Sequence, residues 1–138
     1  MGGTAQELAE ASVRAMYDKD RASRALGMRV LEVRPGAARV RMKVRPGMAN
    51  GHGICHGGYI FALADSAFAF ACNSHGAATV AAGATIDFLR SAKVGDQLVA
   101  VAVERSRARR TGVYDVTVHN QHEDTIALFR GRSHRRGA

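Results

Sequence analysis

The residues best suited to chemistry lie in a glycine-rich loop, Asn50–Gly58 (NGHGICHGG), and in the apolar segment that follows it. A loop of this kind that leads into a helix exposes backbone N–H groups at the positive end of the helix dipole. Such donors bind anions, and they also stabilise the oxyanion that forms when a carbonyl is attacked. Glycines such as Gly57 let a substrate carbonyl approach the backbone closely. The loop therefore predicts a site for anion binding or carbonyl activation.

Asp65 is the second candidate group, because it is the only charged residue between Tyr59 and Ser74. A carboxylate in an apolar helix is costly to bury without a partner, so its presence needs a reason. It could activate water or attack a carbonyl directly. The alternative is a structural role, as a helix cap or as one half of an ion pair with an arginine.

The spacing of the two groups restricts how they can cooperate. Asp65 follows Gly57 by eight residues, which on one helix is about 12 Å along the axis. A group that acts on a bound carbonyl must come within about 3 Å of it. If both residues act on one substrate, the carboxylate therefore comes from a second copy of the chain.

Three residues of the loop could also be metal ligands or a nucleophile: His52, Cys55 and His56. We expect no metal site, because no fourth donor is evident and tetrahedral zinc sites usually use two separated pairs. Cys55 lies near a helix N-terminus, which would lower the pKa of its thiol. No histidine-plus-acid arrangement accompanies it, so we expect a packing role for Cys55 and a core position for Cys72.

The pattern of the whole chain predicts the elements that position these groups. Its predicted elements are a helix at Ala5–Leu26, strands at Met28–Val33 and Arg39–Arg45, a helix at Tyr59–Ser74, and strands at Thr79–Leu89, Asp96–Arg107, Gly112–Asn120 and Thr125–Ser133. The second helix is apolar on all sides, which predicts burial; it is short for a membrane span. The order indicates an α+β fold, with an antiparallel sheet wrapped around one long central helix. The open edge of such a sheet invites pairing with a second copy.

Length and composition are those of one globular domain spanning residues 1–138, with residues 1–4 and 136–138 predicted to be mobile tails. The 46% hydrophobic and 23% charged content excludes a disordered chain. Two cysteines are too few for a disulfide framework, and no charged-then-apolar leader opens the sequence, so we expect a cytoplasmic protein.

The net charge of +8 indicates an anionic partner: nucleic acid, a membrane surface or a small molecule that carries several phosphates. We expect the most basic strand, with Arg39, Arg41, Lys43 and Arg45, to form a solvated face.

The segment Asn50–Gly76 resembles the signature of hotdog-fold acyl-CoA thioesterases of the phenylacetic-acid-degradation (PaaI) type. Three later stretches are similar to the same family: Thr85–Arg90 (TIDFLR), Gly112–Gln121 (GVYDVTVHNQ) and Ala127–Arg135 (ALFRGRSHR). The resemblance implies a hotdog fold and hydrolysis of acyl-CoA, with (hydroxy)phenylacetyl-CoA as the expected substrate. It also implies a homodimer that shares a continuous sheet and its active sites, and a homotetramer of two such dimers.

The resemblance further implies roles for individual residues. Asp65 matches the catalytic carboxylate, as general base or nucleophile, and Gly57 matches the backbone donor to the thioester carbonyl. Asn50 matches a polar side chain that orients the carbonyl or water, and His56 matches a histidine that supports the loop. The residues expected to contact coenzyme A are Gly58, Gly83, Arg90, Arg110, Thr111 and His134. Coenzyme A is then part of the substrate, and no separate cofactor is expected.

One departure from the family concerns the hydroxyl that some relatives place on the strand entering TIDF to position water. Here that strand holds no hydroxyl beyond Thr79, and Ser66 and Thr85 are the alternatives.

Two other classes of function stay open on the sequence. The basic strand would suit a nucleic-acid-binding module, although such modules usually interleave aromatic residues for stacking, and aromatics make up only 6% here. An enoyl-CoA hydratase or a non-catalytic acyl-CoA binder would share the predicted fold, with His56 and Asp65 serving as a hydratase's acid–base pair. On balance we expect neither nucleic acid nor a membrane as partner.

Overall fold

The computed structural model describes residues 3–137, which form three α-helices and six strands. In chain order these are α1 (Ala5–Lys19), α2 (Arg21–Ala25), β1 (Arg29–Arg34), β2 (Ala37–Lys43), α3 (Gly57–Asn73), β3 (Thr79–Phe88), β4 (Gln97–Arg107), β5 (Thr111–His119) and β6 (Thr125–Arg135). The predicted mobile tails lie partly outside the described residues. Within the described residues, Thr4 of the predicted N-terminal tail caps α1 and forms a capping box with Glu7.

The strands form one antiparallel sheet in the order β1-β2-β4-β5-β6-β3, and α3 contacts all six of them. This confirms the predicted α+β architecture of a sheet wrapped around a central helix, the hotdog fold. The two outermost strands are β1 and the ten-residue β3. Among the strands of residues 3–137, β3 pairs only with β6, so its other edge presents unpaired backbone groups along its length.

The core lies between α3 and the inner face of the sheet. In β2, Val40 and Met42 are fully buried while Arg39, Arg41 and Lys43 point to solvent, as the alternation predicted. Each such apolar side chain contributes about 1.5–3 kcal/mol on burial.

Close packing of the helix on the sheet depends on Gly131. The ring of Phe68 in α3 lies against Tyr114 and Phe129, with ring centroids 5.6 and 5.8 Å away. A Cβ at Gly131 would lie 2.8 Å from the ring of Phe68, so only glycine lets helix and sheet approach this closely.

The prediction of one N-terminal helix over Ala5–Leu26 is wrong, because the helix breaks at Asp20. The Asp20 carboxylate accepts from the N–H of Ser23 at 2.9 Å and starts the separate helix α2. Helix α2 ends at Ala25, and Gly27 follows its C-cap Leu26 with a φ of +73°, a conformation that favours glycine.

The central helix also differs from its prediction in two respects. It begins at Gly57, two residues earlier than predicted, because the His56 side chain caps it. It is not buried all round: Phe61 is 37% exposed and Asp65 is partly exposed. In residues 3–137, no helix has both the length and the apolar character needed to cross a bilayer.

Candidate active site

The side chain of Asn50 organises the glycine-rich loop. Its Oδ1 accepts from the N–H groups of His52 at 2.9 Å and Ile54 at 3.3 Å. The backbone N–H of Asn50 donates to the carbonyl of Ile54 at 2.8 Å and closes the turn. This Asx turn fixes the conformation of the loop ahead of α3, although the loop has no regular secondary structure.

The first turn of α3 leaves one backbone donor without a partner. The Nδ1 of His56 accepts from the N–H of Gly58 at 2.9 Å, and its carbonyl accepts from the N–H of Tyr59 at 3.0 Å. The N–H of Gly57 has no acceptor among the residues that the structure describes. The cap therefore distinguishes two adjacent glycines: the Gly58 amide is used internally, and the Gly57 amide stays available at the positive end of the helix.

Gly57 and Asn50 both line a surface cavity of about 320 Å³ at the start of α3. Most of its other side chains are apolar: Ile54, Cys55, Ile60, Phe88, Leu89 and Ala92. A Cβ at Gly57 would lie 3.0 Å from the ring of Phe88, so a side chain there would displace that half-exposed ring by a few tenths of an ångström. Arg90 lines the same cavity with an exposed guanidinium, 4.0 Å from the Asp124 carboxylate.

Asp65 lies two turns further along the same helix. The continuity of α3 from Gly57 to Asn73 keeps it about 12 Å along the axis from Gly57. Burial raises the pKa of Asp65, and the negative charge of Asp20 raises it further. Within residues 3–137 the carboxylate has neither a hydrogen-bond donor nor an ion-pair partner, so the predicted alternative of a cap or an ion pair finds no support there.

The structure divides the residues expected to contact coenzyme A between two ends of the molecule. Gly58 and Arg90 lie at the start of α3, whereas Thr111 pairs with His134 across β5 and β6 at the far end of the sheet. Arg110 adjoins Thr111 in a cavity of about 30 Å³ that also touches Cys72, roughly 22 Å along α3 from Gly57. Gly83 lies on β3 opposite Arg132, whose guanidinium fills the space a side chain would need.

Two of the three hydroxyls considered for positioning water form hydrogen bonds within the chain. The Oγ of Ser66 contacts the Oγ of Ser23 at 2.7 Å, and the hydroxyl of Thr79 donates to the carbonyl of Ala77 at 2.8 Å. Thr85 lies in a depression of the sheet with Asp115 and Arg130. Sequence reasoning missed Ser23, although the spacing Asp20-x-x-Ser23 is a helix-start signal.

The alternatives for the loop residues are not supported by their placement. Burial raises the pKa of the Cys55 thiol, with a smaller contribution from Asp96, whereas the helix end was expected to lower it. Cys55 and Cys72 are both buried, as predicted for packing residues. His52 and His56 are exposed, and the described part of the chain contains no group of three or more His, Cys, Asp or Glu that could hold a metal.

Comparison with known proteins places the chain in a family. The family model described as "Thioesterase superfamily" matches residues 52–127. The acyl-coenzyme A thioesterase PaaI of Escherichia coli (strain K12) is 52% identical over 123 residues, covering 89% of this chain and 88% of that protein. The chain belongs to the thioesterase superfamily. The resemblance seen in the sequence and the prediction of a thioester-hydrolysing enzyme are thereby confirmed.

Solved structures of similar proteins share the fold. The E. coli PaaI protein from the phenylacetic acid degradation operon superposes with a TM-score of 0.96 at 48% identity, covering 98% of both chains. A Streptococcus mutans UA159 protein, solved with bound acetyl-CoA, superposes with a TM-score of 0.77 at 31% identity. That match covers 80% of this chain and 89% of the other.

Proposed function

We propose that this superfamily member is an acyl-CoA thioesterase of the PaaI type that hydrolyses aryl-CoA thioesters such as (hydroxy)phenylacetyl-CoA. The observation that carries the proposal is the Gly57 amide at the start of α3, which has no acceptor in residues 3–137 and belongs to a residue that lines a mainly apolar cavity. Asp65, a carboxylate without a hydrogen-bond donor or ion-pair partner in residues 3–137, lies on the same helix. A thioesterase needs these two groups: a donor to the carbonyl oxygen, and a carboxylate that activates water or attacks the carbonyl carbon.

In the proposed reaction the Gly57 N–H donates to the thioester carbonyl oxygen and stabilises the oxyanion that develops there. As a general base, Asp65 takes a proton from water while the water oxygen bonds to the carbonyl carbon. As a nucleophile, it bonds to that carbon itself, and water then cleaves the resulting anhydride. In both routes the carbon–sulfur bond breaks, the thiolate of coenzyme A leaves and is protonated, and the free acid remains. Asn50 orients the carbonyl or the water, and no separate cofactor takes part.

The site is proposed to be shared by two copies of the chain. Gly57 and Asp65 of one copy are about 12 Å apart along α3, several times the separation that one carbonyl could bridge. The free edge of β3 provides a pairing surface, and the inner face beside it is uncovered, with Phe88 52% exposed and Phe61 37% exposed. Antiparallel pairing of two β3 edges would give a continuous sheet and two sites per dimer, and two dimers would form the tetramer.

The same sharing would bring the divided coenzyme A residues together. Arg90 of one copy would meet Gly83, Arg110, Thr111 and His134 of the other, which supplies positive charge for the pyrophosphate and the 3′-phosphate. The names of two relatives support this substrate: one is an acyl-coenzyme A thioesterase and another was solved with acetyl-CoA.

The acyl group is proposed to be aromatic because of the cavity beside Gly57. Ile54, Ile60, Phe88 and Leu89 give it apolar walls, and Phe88 offers a ring face or edge for stacking. The E. coli structure comes from a phenylacetic acid degradation operon, which supports the same class.

A thiol-release assay across aryl-CoA and fatty acyl-CoA thioesters tests the function. We expect free coenzyme A with aryl substrates preferred, and no loss of enoyl absorbance with an enoyl-CoA. Hydration without thiol release would instead indicate the hydratase, and no reaction with measurable acyl-CoA binding would indicate a binder. Filter binding of nucleic acid at two salt concentrations tests whether the basic strand β2 binds nucleic acid. We expect no affinity even at low salt.

A further inference from the structure

The face of α3 next to Asp65 is held by a corner between α1 and α2. Ser66 and Phe70 are one turn apart and lie on the same side of α3. Phe70 packs against Tyr17 with ring centroids 6.3 Å apart, and the Tyr17 hydroxyl donates to the carbonyl of Met28. The corner is thus anchored both to the central helix and to the start of β1.

Three polar side chains link this corner to α3. The Ser23 hydroxyl lies 2.6 Å from the Asp20 carboxylate and 2.7 Å from the Ser66 hydroxyl, and Ser23 is only 2% exposed. Because a carboxylate only accepts, Ser23 must give its one hydroxyl hydrogen to Asp20. Ser23 can then only accept from Ser66. The direction of the whole chain, from Ser66 through Ser23 to Asp20, is fixed by the charge at its end.

This direction has two consequences for the neighbouring residue Asp65. The hydroxyl hydrogen of Ser66 is committed to Ser23, so Ser66 cannot donate to the Asp65 carboxylate, which stays without a donor from residues 3–137. The chain also pins the rotation of α3 at residue 66, and with it the direction in which residue 65 leaves the helix.

We propose that Asp20, Ser23 and Ser66 are positioning residues that fix the orientation of the Asp65 carboxylate and place a second negative charge behind it. The proposal rests on the proposed function of Asp65 and extends it to residues that do not touch the substrate. A base surrounded by apolar groups and a like charge holds a proton more strongly when it acts, because its ionised form is less stabilised.

The charged groups around Asp65 make Asp20 the one to test. Burial comes first among the causes that raise the pKa of Asp65, and Asp20, from the α1–α2 corner, is the charged group that adds to it. On α3 itself, Cys72 interacts with Asp65, but its thiol stays protonated because burial raises its pKa to about 12. Among the described strands packed on α3, none contributes a charged group that shifts this carboxyl.

The first test compares the pH dependence of kcat/KM for D20N and D18N, with phenylacetyl-CoA as substrate. Asparagine caps helices as well as aspartate does, so D20N keeps α2 while it removes the charge. D18N removes the same charge from an exposed position two residues earlier, in the last turn of α1. We expect the acidic limb to move to lower pH in D20N only. An acidic limb that is unchanged in D20N, or that moves equally in D18N, overturns the proposal.

A second pair of variants keeps the test informative if D20N folds poorly. We expect S66A to lower kcat by roughly three- to tenfold with KM unchanged, less than the hundredfold that a displacement of about 1 Å can cause. S66T keeps the hydroxyl and should restore kcat. Wild-type kcat in S66A, or no rescue in S66T, contradicts the positioning role.

A carboxyl ¹³C NMR titration of Asp65 separates this proposal from the proposed function. A lower pKa of Asp65 in D20N supports the positioning chain even in a protein that releases no thiol. An unchanged pKa of Asp65 contradicts the chain even in a protein that is an active thioesterase.

Discussion

Two partly buried carboxylates, Asp65 and Glu104, have opposite surroundings in this molecule. Glu104, on β4, accepts from the Tyr114 hydroxyl at 2.8 Å and pairs with the Nε2 of His75 at 2.8 Å. Burial would raise the pKa of Glu104, but these hydrogen bonds more than offset it and the pKa is lowered. For Asp65, burial and the charge of Asp20 act in the same direction, and the pKa is raised.

The difference distinguishes a carboxylate that stabilises the fold from one that is kept reactive. Glu104 has its partners supplied by its own chain and joins the end of α3 to the sheet. Asp65 is left without a donor in residues 3–137, at a cost in folding free energy that a purely structural residue would not justify. The two residues therefore predict opposite responses to removal of their charge.

The largest expected effect is that of D65N on turnover. Because Asp65 is the proposed base or nucleophile, D65N should lower kcat by about 10²–10⁴-fold. The pKa of Asp65 is higher in the folded protein than in the unfolded chain. Ionisation of Asp65 therefore destabilises the fold, increasingly so as the pH rises from the pKa of the unfolded state through that of the folded state. D65N should therefore melt at a higher temperature than the wild type at pH 7, and at about the same temperature below pH 4.

Thiol release and thermal unfolding of the same preparations check both parts of this prediction. The matched control is E104Q, which should keep most of its turnover and melt at a lower temperature. A D65N protein that is active, or an E104Q protein that gains stability, would break the contrast between the two carboxylates.

The next effect concerns the backbone donor that Asp65 is proposed to work with. G57P removes the N–H at the first helical position, where proline is well tolerated, and the extended His56 (φ −61°, ψ 133°) is compatible with a following proline. G57A keeps the N–H and adds the same crowding against Phe88. We expect G57P to lose about 10²–10³-fold in kcat relative to G57A, the effect of one oxyanion donor. Equal rates in the two variants would show that the amide does not contact the carbonyl.

A third variant asks whether Asp65, unlike Glu104, needs a second copy of the chain. Ala82 is exposed at the bulge of the edge strand β3, so A82K adds a self-repelling charge at the proposed seam and leaves the core intact. We expect a smaller particle in sedimentation velocity and a loss of activity of about tenfold or more, which rising protein concentration reverses. An active A82K monomer would show that one copy suffices.

The smallest expected effect is that of Y114F, which removes one donor from Glu104 without touching Asp65. We expect it to lower the free energy of unfolding by about 1.5–3 kcal/mol at pH 7, the value of a hydrogen bond to a charged group. The lowered pKa of Glu104 means that its ionised form stabilises the fold, and this stabilisation is lost as the pH falls through that pKa. The difference in unfolding free energy between Y114F and the wild type should therefore shrink at low pH. Urea unfolding at pH 7 and pH 3.5 measures this, while kcat should stay within about twofold of the wild type.

The sequence predicted most of the fold because its periodicities are unambiguous. The alternation in β2 placed Val40 and Met42 inside, and the apolar run gave the central helix. The break at Asp20 was missed because the charges of this amphipathic helix continue across it, and only the Asp20-x-x-Ser23 spacing marks the cap.

The candidate site was less predictable than the fold. Its loop and Asp65 stand out by residue type, but which glycine amide stays free depends on the His56 cap, which takes Gly58. The direction of the Ser66 hydroxyl depends on contacts between residues 43 positions apart, which no local pattern encodes. The different roles of Asp65 and Glu104 likewise depend on which residues lie next to them in the folded chain, which no local pattern encodes.

A subunit-mixing experiment tests the shared site most directly. We expect D65N and G57P each to be nearly inactive alone, and co-refolding them in equal amounts should give half mixed dimers. In each mixed dimer, one of the two sites combines an intact Gly57 from one copy with an intact Asp65 from the other, so activity should return to about a quarter of the wild type. Activity that stays at the level of the separate variants, despite mixed dimers shown by native mass spectrometry, would contradict the shared site.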